Sequence, residues 1–434
     1  MRLGIAISLI SKASALAVQL VAVPFGIAYC GLQQYTQYVT LVALSMLPAV
    51  LLLRLGPSFT AKYASAYRRN NRSEADTLFA VSTIGTTAHV TLATVAALLV
   101  TTCAPLQTVV DPSGSLGAFP AFYSFTLFFI AIAGGVFTGV EAAQAGAHET
   151  HLLATRSVVA NLASFACIVI VTPLWNNIFT FVLALQIIPF SLRAVNAIFF
   201  IARHHPDALV PRKTQELKKV FTSTIKDAWV FTLLSGPVNF LALNAPILLF
   251  AAIPDERLSA WLIVAMTLLV QAIRGMSLAL GPVVPAIADA HSSGNSTQVR
   301  KYKSNLAMFA IALGAMTIAC AMLVSPIAIA LDVNVPPRFT AIAVPLAFFA
   351  ACLFFESTIA TTVYALGDHK ATHRVYAIVI ARSVIGFSVI AASLRPESLH
   401  VAFVINVLYT LIASIFPILS VLGSAQVRRA APQP

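Results

Sequence analysis

Charge is scarce in this chain, and what there is lies unevenly. Lys, Arg, Asp and Glu make up 10% of its 434 residues, while apolar residues make up 59%. Mean hydropathy is +0.88. No soluble domain of this size hides so much apolar surface, so the solvent must be lipid. Cysteine is sparse too: Cys30, Cys103, Cys167, Cys320 and Cys352 all lie in or beside apolar runs. None forms a C-x-x-C pair, which argues against thiolate metal or redox chemistry. Cys30 and Cys103 both reach one expected face, where they either pair or simply pack. A glycine-rich phosphate loop is missing, and with it any recognisable ATPase. Long polar loops are missing as well, and these are what a membrane glycosyltransferase, polymerase or ligase usually needs. Nothing alternates at the two-residue period of barrel strands.

What is present is a series of long apolar runs. A spanning helix needs about 20 mainly apolar residues. The sequence predicts twelve: 4–30, 36–56, 79–102, 119–145, 157–173, 178–201, 227–253, 259–288, 305–331, 340–366, 375–393 and 400–422. The first is too long for a signal peptide, holds Lys12 and Gln19, and lacks a small-x-small cleavage site.

The second half echoes the first. Leu55-Gly56-Pro57 closes the second run and Leu280-Gly281-Pro282 the eighth; Gly146 and His148 leave the fourth and Gly367 and His369 the tenth. These offsets are 225 and 221 residues. Six runs copied as six more are the pattern of membrane carriers, which work between repeats. The expected organisation is a six-helix lobe over 1–201 and a linker with an amphipathic helix over 202–226. A second lobe over 227–422 and a tail over 423–434 complete it. The fold class is thus an all-α integral membrane protein, with twelve transmembrane helices in two six-helix lobes around a central cavity.

The net charge of +12 is a matter of topology. Of 27 Lys and Arg, 19, with Arg156 among them, fall in loops and tails on one side of the expected membrane and only Arg257, Arg338 and Arg395 in loops on the other. By the positive-inside rule both termini are cytoplasmic, and no nucleic-acid partner is implied. Proline enters the first and seventh spans at Pro24 and Pro237, equivalent places in the two halves, and each removes a helical hydrogen bond. The pairing makes both candidate hinges.

At this point the chain resembles the O-antigen/exopolysaccharide flippases, within the superfamily that also holds multidrug/toxic-compound extruders and the lipid II flippase. The resemblance rests on the doubled six-helix pattern and on Ser8-Leu9-Ile10-Ser11-Lys12 followed by Pro24. It also rests on Leu53-Arg54-Leu55-Gly56-Pro57-Ser58 leading into a small-residue helix at Ala61 to Ala66, then Glu74-Ala75-Asp76. It implies an inner-membrane flippase, multi-pass and bacterial, that moves undecaprenyl-pyrophosphate-linked oligosaccharide for lipopolysaccharide or exopolysaccharide synthesis. The implied partners are that lipid-linked substrate, membrane lipids, and a glycan polymerase with chain-length machinery. Alternating access needs no cofactor and no covalent chemistry, so an enzyme is not expected. A cation-coupled drug extruder of the same fold is the nearest alternative, and a glycan polymerase or acyltransferase a more distant one.

Eight ionisable residues lie within or at the edge of spans: Lys12, Arg54, Glu141, Arg193, Asp227, Arg274, Glu356 and Arg382. A charge there costs roughly 2.5–3.5 kcal/mol, so each needs a cavity or a partner. Under the resemblance, Arg274, Lys12, Arg54, Arg193 and Arg382 would grip pyrophosphate, Arg being the better fork. Arg274 lies nearest mid-span; Arg54, Arg193 and Arg382 are placed to snorkel instead. Glu141 and Glu356 are either counter-ions or protonation sites, and Glu141 keeps the extruder alternative open. Asp227 reads as a helix cap. Gln19, Asn239, Asn244, Gln271 and Asn406 either bind sugar hydroxyls or join helices. His148-Glu149-Thr150-His151 has the wrong spacing for a zinc protease. His204-His205-Pro206-Asp207 reads as a solvated turn.

Overall fold

The computed structural model describes residues 2–49, 57–101, 121–147, 149–205, 222, 240–253, 255–280, 287, 290, 295–330, 335–365 and 369–421. The described secondary structure is entirely helical. Contacts divide the chain into two units, Met1–Phe240 and Leu241–Pro434. Eight described helices are long and apolar enough to cross a bilayer. The other expected spans, 36–56, 79–102, 227–253 and 259–288, run over residues outside the description.

Unit 1 contains α1 (Arg2–Cys30), α2 (Leu32–Ala49), the short α3 (Pro57–Arg68) and α4 (Arg72–Thr101). Then come α5 (Ala121–Gly146), α6 (Thr150–Trp175) and α7 (Phe179–His204). The turn between α1 and α2 needs glycine, since Gly31 has φ +84°. Gly26 lets the α2 ring of Tyr35 lie directly on α1, where any Cβ would collide with it. Asn161 of α6 fastens α1 by donating to the Ser11 carbonyl at 2.9 Å and the Ser14 hydroxyl at 2.8 Å. The helix α1 runs through Pro24, whose ring faces outward. Pro237 lies outside the described residues.

Unit 2 contains α8 (Ala245–Ala251), α9 (Glu256–Leu280), α10 (Ser296–Ala330) and α11 (Pro337–Ala365). It ends with α12 (His369–Ala392) and α13 (Pro396–Thr410), which runs on through a π turn at Leu411–Ile415.

Of the helices that start well before the apolar runs predicting them, α4 and α10 do so for one reason. At α4 the Asn71 side chain accepts from the Glu74 N–H at 3.2 Å and donates back to the Glu74 carboxylate at 2.9 Å. At α10 Asn295 accepts from the Gln298 N–H at 3.0 Å and donates to the Gln298 side chain at 3.2 Å. Each box satisfies one helix-end N–H and locks the capping side chain in place, so the helix continues outward past the apolar stretch. The two units therefore open this helix with the same device, 224 residues apart.

Candidate functional site

The fifth helix presents one functional face to α7. Gly134, Phe137, Glu141 and Gln144 recur at helical spacing, so they share that face. Glu141 takes both prongs of Arg193: Nε donates to Oε1 at 2.8 Å and Nη2 to Oε2 at 3.0 Å. Arg156 of α6 adds a third bond, Nη1 to Oε1 at 2.8 Å. The Phe137 ring lies 5.5 Å from the Arg193 guanidinium carbon, a cation–π contact. Gly134 leaves room, since a Cβ there would stand 3.2 Å from Arg193 Nη1. One turn along, Asn196 donates to the Gln144 amide oxygen at 2.8 Å. The centre holds two guanidiniums on one carboxylate, and Glu141 and Arg193 keep 25% and 28% of their side chains exposed.

Unit 2 holds a matching pair with a different finish. Glu356 of α11 receives Arg382 of α12 through Nε at 2.9 Å and Nη2 at 2.5 Å. Ser414 donates to the same carboxylate at 2.6 Å. Ser414 sits in the π turn, whose extra residue per turn shifts side-chain direction relative to an α-helix. Arg382 and Glu356 are only 3% and 5% exposed. The centre is neutral and sealed. Arg193 and Ser414 stand 221 residues apart, the same offset as Gly146 and Gly367.

Of the cations expected to grip pyrophosphate, Arg193 and Arg382 are thus committed to carboxylates. Lys12 lies on α1 and Arg274 on α9. Arg54 and Asp227 fall outside the described residues. Arg156, which the sequence assigns to the basic loops, belongs instead to the Glu141 centre; its spacing from Glu141 carried no signal. Asn406 is buried and joins helices, donating to the Gly386 carbonyl at 3.3 Å and the Ala402 carbonyl at 3.0 Å. Glu149 pairs with His204 at 3.0 Å. His205 is no solvated turn: it is 2% exposed and bonded on both nitrogens. Nothing in the spacing of Tyr63, Asp76 and His205 announced that.

A likeness to known structures covers nearly the whole chain. A eukaryotic MATE transporter, AtDTX14, matches with a TM-score of 0.65 and 11% identity over 98% of this chain and 97% of its own. The inward-facing form of a multidrug-resistance MATE family transporter of the MOP superfamily matches at 0.61 and 13%, over 100% and 96%. The Vibrio cholerae transporter VcmN matches at 0.58 and 16%, over 99% and 96%. The fold is that of the MATE transporters. No family model matches the sequence, and no curated protein does either.

The MATE fold corrects the flippase expectation. The solved structures reported above are MATE transporters, one of them a multidrug-resistance protein, and none is a lipid-linked oligosaccharide flippase, so the lipid-linked oligosaccharide, the glycan polymerase and the lipopolysaccharide role are withdrawn. The physical reason is in the motifs: a doubled six-helix pattern and a proline in the first span belong to the membrane architecture, not to a substrate. The cations that suggested pyrophosphate include two that the structure pairs with glutamates. The resemblance is to transporters, in keeping with transport rather than catalysis.

Proposed function

We propose that this chain exports toxic organic compounds by alternating access across the bacterial inner membrane, driven by an ion gradient. The observation that carries this reading is the MATE fold over the full length of the chain. The Glu141 centre supports it, because a partly exposed carboxylate inside a membrane unit is a group that can couple to an ion. Ionised Glu141 holds α5, α6 and α7 together through Arg193 and Arg156. Such charge-assisted bonds are stronger than neutral ones, and a protonated carboxyl accepts them far less well. Proton arrival therefore loosens three helices at one point, which is the bistable element that alternating access requires. Lys12 and Arg274, charges the membrane penalises, are assigned to the transport pathway on the same cost argument.

The test is efflux in a host stripped of its own extruders. Expression should raise tolerance to a panel of dyes and antibiotics, and everted vesicles should accumulate a fluorescent member on energisation. Glu141→Gln should uncouple that accumulation at normal abundance. Arg274→Ala should reduce it, and Arg274→Lys should restore part. Unchanged tolerance to every compound, with abundant inserted protein, would overturn the proposal.

A further inference from the structure

Every π turn among the described residues stands just ahead of a proline. Cys167–Val171 precedes Pro173, Leu183–Ile187 precedes Pro189, Phe240–Asn244 precedes Pro246 and Leu411–Ile415 precedes Pro417. The spacing has a physical cause. A proline brings no N–H and its ring presses on the carbonyl one turn back, and an extra residue in the preceding turn relieves that clash. The α6–α7 hairpin of unit 1 carries two of these turns, one on each limb, and there they touch. At α7 the Ile188 N–H reaches back to the Leu183 carbonyl, and the donor next in line for Ala184 is missing at Pro189. Ser164 of α6 fills the gap, its Oγ donating to the Ala184 carbonyl at 2.5 Å. The base of the hairpin is therefore pinned.

We propose that the tip of this hairpin, 172–182, swings as one piece about the two facing π turns, with the Ser164–Ala184 bond as its pivot. Contacts on the tip side are loose. The Tyr38 hydroxyl of α2 donates to the Phe181 carbonyl only at 3.5 Å and accepts from Gln186 at 3.3 Å. Thr172 and Thr180, one on each limb of the tip, are fully buried, and their hydroxyls have no hydrogen-bond partner among the described residues. A sealed hydroxyl without a partner is a standing penalty, so this seat of the tip is not the one its polar groups favour. The swing releases both hydroxyls. It also moves Phe181 against the α2 rings of Tyr35 and Tyr38, whose centroids lie 5.8 and 6.3 Å away, so the tip is geared to α2. The single π turn of α13 is the contrast. It aims Ser414 at the sealed Glu356 carboxylate and makes a fixed joint.

Spin labels on the full-length protein in lipid discs test this without reference to transport. Labels carried by keto-bearing residues at the exposed positions Leu174 and Phe125 report the tip against α5. Two resolved distance populations are expected. Pro173→Ala with Pro189→Ala returns both missing N–H groups, so each limb can close as plain α-helix and one population should remain. In the same variant the amides of 167–171 and 183–188 should exchange roughly fivefold more slowly than in wild type, with α5 unaltered. Ser164→Ala removes the pivot and should broaden both distances. A single narrow distance in wild type, or two populations that persist in the variant without the prolines, would overturn the hinge. The wild-type distances alone decide it if that variant does not accumulate. None of these readings involves efflux, so the hinge and the transport proposal stand or fall separately.

Discussion

Glu141 and Glu356 are the same idea executed in two ways. Each is a glutamate of one long helix gripped by an arginine of the next. In unit 2 the pair is sealed, balanced in charge and finished by the Ser414 hydroxyl. In unit 1 the third partner is a second arginine, and about a quarter of the carboxylate side chain remains exposed. The difference separates two jobs that the sequence alone assigns alike. A neutral, dry pair is costly to open, because each charge left behind has no water to turn to. A less buried centre with one positive charge in excess opens at lower cost, which suits a group that must exchange its proton or its partner.

The comparison breaks most visibly if one partner is removed from the sealed pair. Glu356→Gln should destabilise the protein by roughly 3–5 kcal/mol, read as loss of thermal and denaturant stability in detergent, because it strands the Arg382 charge. Replacing Glu356 and Arg382 together by Met should restore most of that loss. Next in size is Ser414→Ala. It removes one bond to a charged group and should cost about 1.5–3 kcal/mol by the same measurement. Glu141→Gln should cost less, on the order of 1 kcal/mol, since this centre is less buried than the Glu356 pair. Its transport defect should far exceed its stability defect. A Glu141→Gln loss as large as that of Glu356→Gln would erase the distinction between the centres. Smallest, and equal between units, should be the helix caps. Asn71→Ala and Asn295→Ala should each cost about 1 kcal/mol. Unequal losses would show that the shared box is weighted differently by its surroundings.

Much of this was legible in advance, and the parts that were not share a cause. Apolar runs placed the helices because lipid exposure is written locally, in about 20 consecutive residues. The early starts of α4 and α10 were missed because a capping box is polar and lies outside such a run. Arg156 was counted with the loops because α6 begins at Thr150, roughly two turns ahead of the apolar run that starts at residue 157. The substrate was misread because the residues that carried the resemblance describe the architecture shared by a superfamily.

The sequence by itself determined the solvent and the helical class, since each follows from composition and spacing along the chain. It also marked Glu141, Arg193, Glu356 and Arg382 as residues that must find a cavity or a partner, because lipid leaves a charge no third choice. Which arginine meets which glutamate, that Arg156 and Ser414 complete the two centres, and that His205 is buried were decided only by tertiary structure. Those contacts join residues 15 to 142 positions apart. Their distances depend on how helix faces are turned toward each other, and no local pattern encodes that rotation.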